Sequence, residues 1–375
     1  MRYSLFSVND HYPKRARTVP QLYAQVMRQC ETAEALAYDT FFCAEHHFHE
    51  YGVVPDPAVM LAALAQRTRR IRLGTAISIL TFHDPRRIAE SYSMVDLMSG
   101  GRLVFGVGSG YLAHEFVGYD RDPKEKRDRF NENLDLVQRL MAGETLSYQG
   151  RFSKSEKVVL NVLPHEGRVP PIYVAVLARD AAYHVGRQKN RIFTVPYASC
   201  SDFADIGRML QEYRRGRAEA GLPEDDDDHV FTLHTYVARS DAEAKAQAKD
   251  AYDLYVDTRL YARKHVYEDI LANGIHLFGA VETVCEKLCA LHGMGIRHVA
   301  TMHNFGALDP ALVERSMTLL AREVMPAVLS RTSTRGRTCG SEPPSAATAR
   351  SPGTRRRRGS AHRWTGRRSA PPPTG

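Results

Sequence analysis

The 375-residue chain has a single tryptophan and no apolar run near the roughly 20 residues that a membrane-spanning helix needs. A protein built on membrane helices is not expected. The opening stretch MRYSLFSVNDHYPKR lacks an apolar segment followed by a small-residue cleavage site, so a cytoplasmic location is the expectation. Cysteine is scarce too: Cys30, Cys43, Cys200, Cys285, Cys289 and Cys339 include no C-x-x-C pair, and Cys285 and Cys289 fit one face of a helix. Buried free thiols in a reducing compartment are the reading. Nor is there a dinucleotide fingerprint. VFGVGSGY, residues 104–111, places Gly106, Gly108 and Gly110 after an apolar run, but the third glycine of G-x-G-x-x-G would fall at Tyr111. No repeat of fixed period is visible.

What is present is 43% hydrophobic residues, the level of a soluble globular protein, and a formal net charge of +8. The charge is unevenly placed. Residues 331–375 hold eleven of the 51 basic residues and one of the 43 acidic ones, so the first 330 residues carry 40 and 42 and are close to neutral. The Arg-, Pro- and Ser-rich tail has too few apolar residues to offset the entropy of ordering it, and we read 331–375 as a disordered extension. Its isolated Trp364 and Arg355–Arg358 run do not make a basic-aromatic platform, so nucleic acid is not expected as a partner.

Residues 1–330 alternate short apolar runs with amphipathic stretches, the pattern of parallel strands joined by crossover helices. Eight strands are expected, at Tyr3–Val8, Thr40–Ala44, Ile71–Ile77, Leu103–Val107, Ile172–Val176, Ile192–Val195, Val230–Val237 and His298–Met302. Helices are expected near 21–37, 57–69, 85–98, 124–142, 180–189, 202–220, 240–261, 281–293 and 309–329. Asp84-Pro85, Asp122-Pro123 and Asp309-Pro310 supply an N-cap followed by proline at the first helical position. Eight strand–helix units in about 330 residues predict an α/β fold, a (β/α)8 TIM barrel with insertions, ahead of a doubly wound sheet. Residues 144–170 read as an inserted hairpin turning at Gln149-Gly150, and 262–280 as a long irregular loop.

In such a barrel, function belongs at the C-terminal ends of the strands. The second strand ends in FFCAEHHFHEYG, which crowds Glu45, His46, His47, His49 and Glu50 together. Strand alternation points Glu45 and His47 to one side and His46 to the other. Three readings stay open at this level. His47 and His49 make a two-ligand metal pair that needs a third ligand from His234, His276 or His303. The imidazoles can instead cap carbonyls or face solvent. One histidine can also do acid/base work against a bound cofactor, since imidazole titrates nearest neutral pH.

Three separated blocks narrow the choice. DTFFCAEHHFHEYG, then RLGTAISILTFHDPRRIAESYSMVDLMSGGRLVFGVGSGY, then GMGIRHVATMHNFG with VERSMTLLAREVMPAVL, together resemble the bacterial luciferase-like flavin-dependent monooxygenases, in order, over roughly residues 1–330. The resemblance implies a (β/α)8 barrel that binds reduced FMN, or in some branches a deazaflavin, at the strand ends. It places the catalytic histidine at His46, with Glu45 and His47 orienting its ring. Thr75, Ala76 and Ile77 match the strand end that runs against the flavin ring, with a cis peptide expected at Ala76-Ile77. Phe6 matches an aromatic lining the pocket, and Gly108-Ser109 the loop beside the flavin, where bacterial luciferase has Cys-Arg. Leu177 and Ala178 stand where family members carry a polar pair at the flavin phosphate. Arg179 is expected to replace the missing charge, beside the backbone amides of Asp180, Ala181 and Ala182.

The resemblance further implies that FMN arrives reduced from a separate flavin reductase and that O2 then oxidises a small organic substrate through a flavin peroxide. It implies a homodimer, to which helices near 57–69 and 85–98 contribute. No resident metal is expected. The alternatives are hydride transfer to or from a flavin or deazaflavin on the same fold, a non-catalytic flavin-binding protein, and a metal hydrolase built on Glu45, His47 and His49.

Overall fold

The computed structural model describes residues 1–50, 52–260 and 265–335. Eight parallel strands form a closed barrel: β1 Arg2–Ser7, β2 Thr40–Cys43, β3 Arg72–Thr75, β4 Leu103–Gly108, β5 Ile172–Val176, β6 Arg191–Thr194, β7 His229–Ala238 and β8 His298–Met302. Each pairs with the next, as Phe6 opposite Phe42 and Val174 opposite Ile192 illustrate. Pairing of β1 with β8, Leu5 opposite Thr301, completes the ring. All eight expected strands are found, with ends shifted by at most a few residues. Strands buried on both faces are what make continuous apolar runs such as TFFC and LVFGVG, every residue of which is buried.

Crossover helices lie between the strands, and their starts are chemically marked. Asp84, Asp122 and Asp309 each accept a hydrogen bond from the amide two residues on, with proline at the first helical position. Asp56 does the same ahead of Pro57. Phe6, Phe42 and Phe193, from strands that are not all neighbours, meet across the barrel interior at centroid separations of 6.0 Å (Phe6 to Phe193) and 5.1 Å (Phe42 to Phe193). Aromatic packing of this kind fills the barrel just beneath its C-terminal face.

The inserted hairpin is present as antiparallel strands Leu146–Gln149 and Lys154–Val158. Residues 262–280 depart from expectation. Past the undescribed 261–264 they hold a helix, Tyr267–Asn273, and a strand, Leu277–Ala280, that pairs with the second half of β7 beyond the barrel. Both are too short for periodicity to show them. The final helical stretch passes through a π segment at Leu320–Val324 and continues to Arg335, into the segment read as tail. The remainder of that tail, with Cys339, lies outside the described residues. No helix among those described is long and apolar enough to cross a membrane, and of the described cysteines Cys30, Cys43, Cys200 and Cys285 are buried and Cys289 partly so.

The three histidines considered as third metal ligands are instead parts of the core. His303 Nδ1 lies 2.9 Å from Ser316 Oγ and its Nε2 lies 3.2 Å from Thr301 Oγ1. His276 Nδ1 accepts from the Phe278 amide at 2.9 Å, and His234 is enclosed by Tyr197, Tyr252, Tyr255 and Phe305. Burial holds all three neutral, pushing each pKa down to about 3. Such a group takes up a proton on unfolding but not in the fold. Its contribution to stability is therefore complete above the unfolded value of 6.5 and is lost as pH falls toward 3. Each is expected to add up to about 1.4 kcal/mol per pH unit to the acid slope. Urea midpoints measured between pH 6.5 and 5 should fall, and His303→Gln should flatten that slope by about one proton; parallel slopes for the two proteins would contradict this.

Candidate active site

The C-terminal ends of the strands surround a narrow apolar hollow of about 80 Å3, walled by Phe6, Ala44, Ala76, Ile77, Phe193 and Tyr255 among others. Apart from two tyrosines, Glu45 and His46 are the ionisable residues in its lining. The hollow adjoins a larger cleft of about 530 Å3 and shares Ile77, Gly110, Tyr111, Ala175 and Leu177 with it. That volume is in the range of small-molecule sites. The Ala76-Ile77 peptide is cis, as expected. A side chain at Gly106 would put its Cβ 2.1 Å from the Thr75 carbonyl oxygen, so glycine there is what lets β4 approach the chain just ahead of this turn; at Gly108 the nearest atom would be the Ile77 side-chain tip.

The histidine run divides into two separately held imidazoles. His46 is buried, and its Nδ1 lies 3.1 Å from Oε1 of Glu115. The same oxygen accepts the His47 backbone N–H at 3.1 Å, so one carboxylate fixes both the ring and the backbone beside it. Glu115 is fully buried on the short helix Ala113–Gly118, and its Oε2 has no hydrogen-bonding partner among the described residues. Burial lowers the His46 pKa, and the Glu115 carboxylate only partly opposes this. His46 is thus neutral near pH 7, and donation from Nδ1 to Glu115 assigns the lone pair to Nε2. Gly52 closes the other side of the ring: a Cβ there would come 2.8 Å from His46 Cδ2.

Glu45 and His47 are occupied with each other. Glu45 Oε1 accepts from His47 Nε2 at 2.9 Å and from His83 Nε2 at 2.7 Å, and its Oε2 accepts the Ile79 amide at 3.1 Å. His47 Nδ1 meets the Tyr119 hydroxyl at 3.1 Å. Burial alone would raise the Glu45 pKa, but the hydrogen bonds from His47 and His83 outweigh it and bring it down to about 2. The expectation that Glu45 and His47 orient the His46 ring is corrected here. Alternation carries them to the opposite side of the chain, and Glu115 takes that role. His49, the other half of the metal pair read from local spacing, lies 3.9 Å from Glu50 and is outside this cluster.

Of the other expected site residues, Phe6 and Ala76 line the hollow, Ser109, Ala178 and Ala181 line the cleft, and Ile77 and Leu177 line both. Thr75 does not: its hydroxyl turns into the sheet and donates to Gly106 O at 2.6 Å. Arg179 does not either, because its guanidinium reaches outward to Asp205 at 3.7 Å. The cationic groups that line the cleft are Lys126 and Arg127, and His184 lines it as well. The Ala182 amide closes the first turn of helix Arg179–Arg187 on Ala178 O, which leaves the amides of Asp180 and Ala181 outside the helical ladder. Sequence reasoning missed Glu115, His83, Lys126 and Arg127. His83 stands in the stretch TFHDP directly ahead of a capped helix, a position that carried a signal.

Residues 1–298 match the family model described as luciferase-like monooxygenase. The 4-hydroxyprotoasukamycin monooxygenase of Streptomyces nodosus subsp. asukaensis is 28% identical, over 80% of this chain and 86% of that one. The oxygenase component of the flavin-dependent trigonelline monooxygenase of Acinetobacter baylyi is 26% identical, over 68% and 70%. Among solved structures, the monooxygenase RslO1 from Streptomyces bottropensis superposes with a TM-score of 0.76 at 26% identity, covering 87% of this chain and 99% of that one. F420-dependent glucose-6-phosphate dehydrogenases also match, at 28% and 27% identity over about half of this chain. The chain spans between about half and three-fifths of the length of the first curated relatives it matches. With the match to the family model running from residue 1 to the start of β8, the chain belongs to the luciferase-like monooxygenase family.

Proposed function

We propose that the protein is the oxygenating component of a two-component flavin monooxygenase, which receives reduced FMN from a separate reductase and uses O2 to oxidise a small, apolar organic substrate. The observation that carries this reading is His46, its Nδ1 held by Glu115, in the wall of an apolar hollow that Ala76 and Ile77 also line. The fit to FMN is chemical. The planar ring suits the apolar wall that the hollow shares with the cleft at Ile77, Tyr111, Ala175 and Leu177, and the phosphate suits the Lys126 and Arg127 side chains that line the cleft. Reduced FMN, when bound, supplies the electrons that activate O2. The protein's part is to exclude water through the apolar lining, to orient substrate against Phe6, Tyr111 and Tyr255, and to hold or move a proton at Nε2 of His46.

F420-dependent relatives make hydride transfer with a deazaflavin the second reading, and titration with each cofactor separates the two. A second copy of the chain is the proposed partner, because Val59 on helix Pro57–Arg67 and Met94, Leu97 and Met98 on helix Pro85–Ser99 are exposed apolar side chains on neighbouring helices.

Three measurements test this reading. His46→Ala is expected to lower turnover with reduced FMN and O2 by about 10²- to 10⁴-fold, and Glu115→Gln by about ten-fold or more, with FMN affinity little changed in both. Unchanged turnover in both variants would remove the mechanism. In a fluorescence titration, Lys126→Ala combined with Arg127→Ala should weaken FMN by about ten-fold and leave riboflavin, which lacks the phosphate, nearly unaffected. Equal weakening of both would place the phosphate elsewhere. Light scattering should give the mass of a dimer for the wild type and of a monomer for Leu97→Glu with Met98→Glu; a monomeric wild type would contradict the partner.

A further inference from the structure

The geometry points to a divalent transition-metal site, of the kind that takes Zn2+, at Glu45, His47 and His83. This site is separate from the flavin reading and does not rest on it. Two imidazole nitrogens and one carboxylate oxygen, drawn from the segments after β2 and β3, lie within 4.8 Å of one another. Two histidines and one carboxylate with a fourth position for water form a common donor set for a catalytic-type zinc. Both imidazoles aim the same atom, Nε2, at the same atom, Glu45 Oε1, at 2.9 and 2.7 Å. Zn–N and Zn–O bonds of about 2.0 to 2.2 Å put tetrahedral ligand atoms roughly 3.3 Å apart, so each imidazole nitrogen would draw back from Glu45 Oε1 by about half an ångström to seat an ion.

The outer atoms of two of the three ligands are already engaged. His47 Nδ1 is set by the Tyr119 hydroxyl at 3.1 Å, and Glu45 Oε2 by the Ile79 amide at 3.1 Å. This is the outer support that fixes ligand orientation at metal centres. Glu45 and His47 are almost fully buried, whereas the His83 side chain is 24% exposed, which provides both an entry path and the side on which water completes the coordination. The pairing is not the His47 and His49 pair suggested by local spacing, because His49 lies with Glu50 outside the cluster. An ion here would clamp the two residues that flank His46.

The test uses the full chain purified without a metal-affinity tag and stripped with chelator. It is then exposed to a slight excess of Zn2+, desalted, and analysed by atomic emission. The wild type is expected to retain one ion per chain, His49→Ala the same, and Glu45→Gln and His83→Gln at least about ten-fold less. Zn2+ should also raise the melting temperature of the wild type and not that of the two ligand variants, since an ion that binds the folded state alone stabilises it by mass action. Should Glu45→Gln fail to fold, His83→Gln at the partly exposed edge carries the test. Retention well below one ion by the wild type, or equal retention by wild type and His83→Gln, marks an adventitious ion only and overturns the site.

Discussion

Pairing of β1 with β8, and of β6 with β7, leaves the eight-stranded sheet without an edge, and the rest of the molecule is arranged by that closure. Because all eight strands of the closed ring run parallel, every one ends on the same face, and segments remote in sequence become neighbours there. The chain after β2 meets the chain after β3 and after β4, which is how Glu45 reaches His83 and how His46 reaches Glu115. Sheet closure also leaves backbone polar groups satisfied within the barrel, so the mouth can be lined with apolar side chains and little else.

Two buried carboxylates divide the labour at that mouth. Glu115 gives one oxygen to both the His46 ring and the His47 amide, fixing a neutral imidazole with a defined tautomer. Glu45 gives one oxygen to two other imidazoles and is held ionised by them. Adjacent histidines therefore experience different electrostatics, because alternation along the chain turns them toward different partners. In a site of low polarity each of these contacts counts for more than it would in water, and each is costly to leave half made.

Much of this is legible in the amino-acid sequence. Short apolar runs spaced by helical stretches disclose a parallel barrel, since parallel strands are buried on both faces and their crossovers are helices. The EHH stretch at the end of β2 and the cis Ala76-Ile77 turn also lie where expected. What stays hidden is long-range or brief. Helix Ala113–Gly118 is too short for a 3.6-residue period to repeat, so Glu115 has nothing to mark it. Lys126 and Arg127 read as the solvated start of a helix until the fold sets them at the cleft. Arg179 is the natural choice for the phosphate because it is next to the right loop, but Asp205 on helix Phe203–Glu219 draws it away.

The flavin reading turns on one placement: a flavin ring over Ala76-Ile77, beside His46, with its phosphate toward Lys126 and Arg127. A crystal structure of the full chain soaked with FMN tests this most directly. The predicted result is ring density against the Ala76-Ile77 turn and phosphate density within hydrogen-bonding reach of Lys126 or Arg127. Density anywhere else on the molecule, or a ring at the turn with its phosphate at Arg179, would contradict it.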